Sequence, residues 1–343
     1  MRLVSLVFSI IILASACAMG GEEHDMVIVG GGAGALAAAV SAVDAGLSDV
    51  VVLDPGDTAS LASESVAPAV FAAAETELQR GAGIDDSAGQ FADWWMELAR
   101  GNADGELVEF MARESSDTVS WLQSLGVPFL ELGTSFLPAS RPFIDRERAH
   151  AVDGGYAALY EVLESAALDR GVDVRMQEAV NSLIADDGGR VEGVRVEIDG
   201  RERDLFAREA VVLTGTVGVP SDDTVPIDTF LDSPDVLPGS GEGLSDITKL
   251  AESVGAAVTR RTGVTAGYTD RRYSQALVGG LDVTETSHVM RKDGSTIPRL
   301  YAVGPIAGNR YFDRVRLSPQ TFTLTLTQAR VVGEHIGRYR RGG

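Results

Sequence analysis

A strand that runs straight into three glycines, then a helix of small residues, then a second strand closed by an acid leaves a chain very few folds. Residues 25–55, DMVIVGGGAGALAAAVSAVDAGLSDVVVLDP, have that order. Met26 to Val29 predicts a short buried strand, Gly30 to Gly34 a turn, Ala35 to Val43 an alanine-rich helix ending near Gly46, and Val50 to Leu53 a second strand. Gly30 lets the chain turn tightly, and Gly32 lets backbone amides approach a pyrophosphate. Ala35 fills the third position of the GxGxxG/A pattern and is small enough for helix to pack on strand. The helix N-terminus offers unpaired N–H groups and a partial positive charge to phosphate. Asp54 stands where an acid can accept hydrogen bonds from both ribose hydroxyls, which favours an adenosine without a 2′-phosphate. The unit predicts a dinucleotide site in an α/β, Rossmann-like fold.

The 343 residues, 45% hydrophobic and 23% charged, are enough to bury a large core. Fifty acids against 29 bases give a net charge of −21, which repels a phosphate backbone. The basic residues cluster only at Arg338, Arg340 and Arg341, where they cap the negative end of a last helix, so no nucleic-acid partner is expected. Residues 1–16 read as an export signal: Arg2, an apolar run from Leu3 to Leu13, then Ala14, Ser15 and Ala16. Cys17, the single cysteine, follows in a lipobox-like LASAC, with residues 17–25 as a lipidated tether to a bacterial envelope membrane on its periplasmic side. The same segment also reads as an anchor helix slightly short for a bilayer, or as a leader cleaved after Ala16.

Further along, residues 56–76 are rich in Ser and Ala and lead into a small-residue helix. Apolar spacing predicts amphipathic helices over 85–100 and 106–125, and another helix over 155–170. Short strands at 172–176, 180–185, 191–198 and 203–207 read as a meander with turns at Asp187-Gly188-Gly189 and Asp199-Gly200. Ala210 to Leu213 is a buried strand ending in Thr214-Gly215, which again brings bare backbone to a ligand. A polar connection over 217–241, a helix over 242–254, strands within 277–303 ending at Gly304, and a helix from about Ser318 to Tyr339 complete the chain.

In that order the landmarks resemble the flavoprotein superfamily of fumarate reductases, succinate dehydrogenase flavoprotein subunits and 3-ketosteroid dehydrogenases. The resemblance rests on VIVGGGAGALAAA, AGIDDSAGQFADWW, HAVDGGYAALYEVL, DDGGRVEGVRV, AVVLTGT, SGEGLSDITKLAESVGAA and VGGLDVTETSHVMRKDGSTIPRLYAVG, and spans about residues 25–340. It implies an FAD-binding domain over 26–343 with a central parallel sheet, a strand meander and flanking helices. It implies FAD on Gly30, Gly32, Gly34, Ala35, Asp54, Val180, Thr214, Gly215, Gly304, Ser318 and Gln320. A covalent flavin link in such proteins uses a histidine near the second-strand loop, and residues 55–80 contain none, so non-covalent FAD is expected.

The departures are equally informative. The family's capping domain has no room between Gly255-Ala256 and Gly279-Gly280, where only residues 257–278 lie. Ala276 stands near a family histidine, Ala67-Pro68-Ala69-Val70 replaces a glycine loop against the flavin ring, and Pro305 replaces an acid. Arg316, in VRLSPQ, aligns with an arginine that would hold a substrate carboxylate bidentately, with Arg310 and Arg314 close enough to compete. His150 precedes the glycines of DGGY, in a loop that reads as solvent-facing, and is the second candidate for chemistry. Two functions follow. One is an FAD-dependent oxidoreductase acting on a carbon–carbon bond of a small-molecule substrate, with a partner subunit or electron-transfer protein. The other is a non-catalytic or degenerate FAD-binding lipoprotein.

Overall fold

The computed structural model describes residues 21–56, 69–132, 148–198, 200–215, 224–226, 245–266, 272–313 and 315–342, the side chains of 224–226, 261–266, 272–278, 315–318 and 341–342 excepted. In chain order the elements are β1 (Glu22–Val29), α1 (Gly32–Asp44), β2 (Val50–Asp54), β3 (Val70–Ala72), α2 (Glu77–Gly81), α3 (Ala88–Leu98), α4 (Gly105–Ser124) and β4 (Ala149–Ala151). Then come α5 (Gly155–Asp169), β5 (Asp173–Met176), β6 (Val180–Ala185), β7 (Val191–Ile198), β8 (Arg201–Thr214), β9 (Thr224–Pro226), α6 (Asp246–Ser253), β10 (Val258–Ala266) and β11 (Arg272–Leu281). The last elements are β12 (His288–Met290), β13 (Thr296–Val303), a 3-10 turn (Gly304–Ala307), β14 (Val315–Leu317) and α7 (Ser318–Gly342).

The main sheet has the order β12-β13-β8-β1-β2-β5, and every pairing from β13 to β5 is parallel. Its central strands are apolar on both faces because both faces are covered. Met26, Ile28, Val50, Val52, Ala210 and Val212 point into a layer shared with α1, α5 and α7. Their neighbours Val27, Val29, Val51, Leu53, Val211 and Leu213 point the other way, onto α3, α4 and the β6–β7 hairpin. The mixed α/β fold with a mostly parallel sheet between helices is the one the first 31-residue unit predicts.

Four readings change. Residues 173–176 do not join the meander: β5 pairs in parallel with β2 and forms the edge of the main sheet. The predicted strands at 203–207 and 210–213 are one strand, because Arg208 in the polar gap between them is satisfied by Asp25 and Glu23 on the neighbouring strand. Val70–Ala72 is a strand paired with β4, and the helix that follows is held by a capping box between Thr76 and Gln79. The predicted helix over 242–254 starts at Asp246 with Ser245 as its N-cap, residues 242–244 lying outside the described set.

The described residues of the 257–278 insert are strands. β10 and β11 pair antiparallel over nine residues, flanked by β14 and β9 in a four-stranded sheet. Among the described residues no helix is long and apolar enough to cross a membrane, and the leader with Cys17 lies outside them.

Helix α7 brings the end of the chain back to its beginning. A Cβ on Gly333 would fall 2.6 Å from the backbone nitrogen of Ala42 and 2.8 Å from the carbonyl oxygen of Ala38, and one on Gly337 would fall 2.4 Å from the Cβ of Ala45. The two helices therefore touch backbone to backbone, and Ser41 Oγ donates to the Arg330 carbonyl at 2.6 Å. Below this contact Asp25, fully buried, accepts from Ser48 N and Oγ at 3.0 Å, from Arg208 at 3.0 Å and from Arg340 at 2.5 Å.

Burial alone would raise the Asp25 pKa. The hydrogen bonds from Ser48, Arg208 and Arg340 together outweigh it and hold the group down to about 2, against an ordinary 3.8. A depressed folded-state pKa contributes stability above the unfolded value and loses it as pH falls toward the folded one. Asp25→Asn is therefore expected to destabilise the protein by about 2 kcal/mol at pH 7, seen as a melting temperature lower by a few degrees. Melting curves of both proteins should converge as pH falls from 4 to 2; a gap that stays constant over that window would reject the role given to Asp25.

Candidate functional site

The turn after β1 is where the backbone comes closest to everything around it. Gly30 has φ +109°, and a Cβ there would lie 2.1 Å from the Thr214 carbonyl oxygen at the end of β8. Gly32 has φ +77° and opens α1; a Cβ there would come within 3.0 Å of the Tyr156 hydroxyl. Both conformations are ones that L side chains rarely adopt. Gly34 has a different task from the one its place in the turn suggests. Its missing Cβ makes room for Thr325 Cγ2, 2.7 Å from where the Cβ would be, so it fits α1 against α7.

Around this turn lies a cleft of about 560 Å³ at the carboxyl ends of β1, β2, β8 and β13. Open parallel sheets bind ligands there, at the point where strand order reverses, and β1 between β2 and β8 is that point. One wall is Gly30 to Gly34 with Thr214 and Gly215; another is Asp54, Pro55 and Gly56; Ser245, Ile247 and Pro305 line it too. Thr321, Phe322, Thr325 and Leu326 form the far wall from one stripe of α7. Asp54 is nearly buried, and its Oδ1 accepts the Gly56 N–H at 2.8 Å. Tyr156 reaches in from α5, where its hydroxyl accepts the Ala33 N–H at 3.1 Å, one of the α1 N-terminal amides that has no partner within the helix.

Of the residues read from the sequence, Gly30, Gly32, Gly34, Asp54, Thr214 and Gly215 come together in this cleft. Ala35 is buried on α1, Val180 opens β6 away from the cleft, Gly304 donates its N–H to Gln328 Oε1 at 2.8 Å, and Gln320 is buried; none of these four lines it. The Ser318 side chain lies outside the described set. Gly31, Tyr156, Ile247 and the α7 stripe do line the cleft, and sequence reasoning missed them. The only sequence signal was the i, i+4 spacing of 321 with 325 and of 322 with 326.

His150 is corrected most sharply. It lies on β4 and is fully buried. The Arg148 carbonyl can only accept, so Nδ1 carries the proton and donates to it at 2.7 Å; Nε2 accepts from the Thr76 hydroxyl at 2.8 Å. Burial pushes its pKa down to about 4, so the imidazole is neutral at pH 7 with both nitrogens engaged. Beside it Arg148 forks onto Asp86 at 2.7 Å through both Nε and NH2, beside the rings of Phe91 and Trp94. This buried network braces β3 against β4 and offers no proton to a ligand. Arg310 is also committed, paired with Asp104, the N-cap of α4. Arg314 and the side chain of Arg316 lie outside the described set; the backbone of Arg316 is on β14, opposite Thr265 of β10.

A family described as FAD binding domain matches residues 25–261. The chain belongs to the FAD-binding domain family. Among relatives of this FAD-binding domain, a probable fumarate reductase of Shewanella frigidimarina is 25% identical over 281 residues, 80% of this chain and 46% of the relative. An L-aspartate oxidase of Caulobacter vibrioides is 29% identical over 196 residues, 56% of this chain and 37% of that protein. The chain thus spans less than half the length of these relatives. The fold is shared with a 3-ketosteroid-delta4-(5alpha)-dehydrogenase of Rhodococcus jostii, TM-score 0.71 and 18% identity, covering 94% of this chain and 99% of that one. It is shared as well with a flavocytochrome c3 fumarate reductase, TM-score 0.69 and 17% identity, covering 93% and 78%.

The cleft fits the adenine dinucleotide portion of FAD. Gly30 to Gly32 present no side chain, the N-terminal turn of α1 lines the opening, and Asp54 stands at its edge as a hydrogen-bond acceptor. Gly32→Val would place a β-branched residue at φ +77°, a strain of about 1–3 kcal/mol, and fill the space against Tyr156. The expected result is loss of at least about a hundredfold in FAD affinity. Flavin absorbance after gel filtration with added FAD checks it, with circular dichroism to confirm the fold; a variant that retains the flavin would show that the cradle is not the binding surface.

Proposed function

We propose that the chain holds FAD without a covalent bond and works as an oxidoreductase of the fumarate-reductase-like class on a carbon–carbon bond of a small or steroid-like substrate. The observation that carries this reading is the side-chain-free cradle closed by Asp54, in a chain whose relatives include a probable fumarate reductase. FAD, when bound, supplies the hydride chemistry. The chain's own residues bind, orient and exclude water. Residues 55–80 hold no histidine for covalent attachment. Arg316 stands two residues before α7, the helix whose first turns wall the cleft, and that placement favours it as the clamp on a substrate carboxylate. Arg310, tied to Asp104, does not compete for that role.

A second reading, a non-catalytic FAD-binding protein, is favoured by what this chain lacks at the reacting end. His150 has both nitrogens committed, and the described part of the 257–278 insert is a pair of antiparallel strands where the family resemblance implies a domain. One experiment separates the two. Acid precipitation of the FAD-loaded protein should leave yellow FAD in the supernatant, as a non-covalent cofactor requires. After dithionite reduction, fumarate should reoxidise the flavin in stopped flow, but several decades more slowly than in full-length relatives, because a lost general acid alone costs about 10²–10⁴-fold. Arg316→Ala should slow that reoxidation further with flavin content unchanged. No reoxidation by fumarate or by a panel of acidic and steroidal acceptors would leave the non-catalytic reading standing.

The proposal extends to location. Cys17 is taken as the acylated N-terminus of an exported protein, held on the periplasmic side of a bacterial envelope membrane, where a partner subunit or electron-transfer protein would meet it. A diacylglycerol with an amide-linked chain exceeds the two-signal threshold for stable anchoring. Wild type should fractionate with membranes and Cys17→Ser should not be processed; mass spectrometry finding an unmodified N-terminus at Cys17 or Ala18 would reject the anchor.

A further inference from the structure

We infer that Gly31 is a positioning residue for Asp54, and so decides how well the cleft takes an adenosine ribose; the inference rests on the FAD reading. Gly31 sits between two glycines whose backbone demands them, yet its own backbone does not. Its φ of −121° and ψ of −163° are extended values open to any residue. The reason for glycine at this position must therefore be space, and the space has one occupant. A Cβ on Gly31 would fall 1.8 Å from Asp54 Oδ2, 2.1 Å from its Cγ and 2.4 Å from its Oδ1, so all three of the nearest atoms belong to one carboxyl group.

Asp54 is held from the other side as well. Its Oδ1 accepts the Gly56 N–H at 2.8 Å, and a Cβ on Gly56 would come within 2.9 Å of that same oxygen. The carboxylate is thus seated between two residues without side chains, over the turn that begins α1. An aspartate has only one carbon between backbone and carboxyl group and cannot reach around an obstacle, so the backbone has to come to it. A methyl group at position 31 would push the carboxylate outward and break its bond to Gly56 N–H. The backbone of the α1 N-terminus would stay where it is.

The distinction yields a test in which ribose and phosphate contacts separate. FAD affinity is measured by flavin fluorescence quenching, with ADP and inorganic pyrophosphate as competitors, for wild type, Gly31→Ala, Asp54→Ala and the double variant. Gly31→Ala should weaken FAD and ADP about tenfold, the loss of one hydrogen bond to a charged acceptor, and leave pyrophosphate unchanged. In the Asp54→Ala background, Gly31→Ala should cost nothing further, because its target is gone. Gly56→Ala, which crowds the same oxygen from the other side, should give a smaller loss, about threefold, that also vanishes when Asp54 is absent; it keeps the test open if Gly31→Ala fails to fold. Wild-type affinity in Gly31→Ala, fully additive losses in the double variant, or an equal loss for pyrophosphate would each overturn the inference. A wild type that binds neither FAD nor ADP would instead remove the FAD reading beneath it.

Discussion

The cleft exists because two helices from opposite ends of the chain are allowed to touch. α1 carries alanines and Ser41 along one side, α7 carries Gly333 and Gly337, and the glycines let the two backbones approach with only small side chains at the crossing. Close packing of small residues turns this crossing into many short contacts instead of a few long ones. Its position sets that of Thr321, Phe322, Thr325 and Leu326, one full wall of the site, and Gly34 fits the same crossing nearer the ligand. A larger residue at Gly333 would move that wall outward with no change in any group that faces the cleft.

How much of this could be read beforehand follows the range of the interactions. The β1-turn-α1-β2 unit is local, and its glycines, Asp54 and strand boundaries were legible because each is dictated by neighbours within 31 residues. Thr214-Gly215 was legible for the same reason, an apolar strand stopping at a small pair. Tyr156 was not, since nothing in GGYAALY says that its hydroxyl accepts an amide 123 residues earlier. Gly31 looked like part of a glycine run, and only the placed carboxylate of Asp54 separates its purpose from that of its neighbours.

His150 shows the opposite failure. Its surroundings, RERAHAVDGG, read as a polar loop, yet the residues that bury it come from Thr76, Phe129 and the Arg148–Asp86 pair. An arginine that finds a bidentate carboxylate and two aromatic rings can be buried completely, and a sequence pattern scores it as exposed. The merging of two expected strands into β8 has the same origin. Arg208 would have ended a strand had Asp25 not been waiting beside it.

The return of α7 to α1 also sets an order of events during synthesis. The glycine turn and Asp54 are made well before the wall formed by Thr321 to Leu326 and the Arg340 that locks onto Asp25. Until then the α1 side of the sheet lacks its cover, and the site has a floor without an enclosure. Enclosure of the cleft therefore waits on α7, and a chain cut before Thr321 would keep the glycine turn and Asp54 while lacking the wall that faces them.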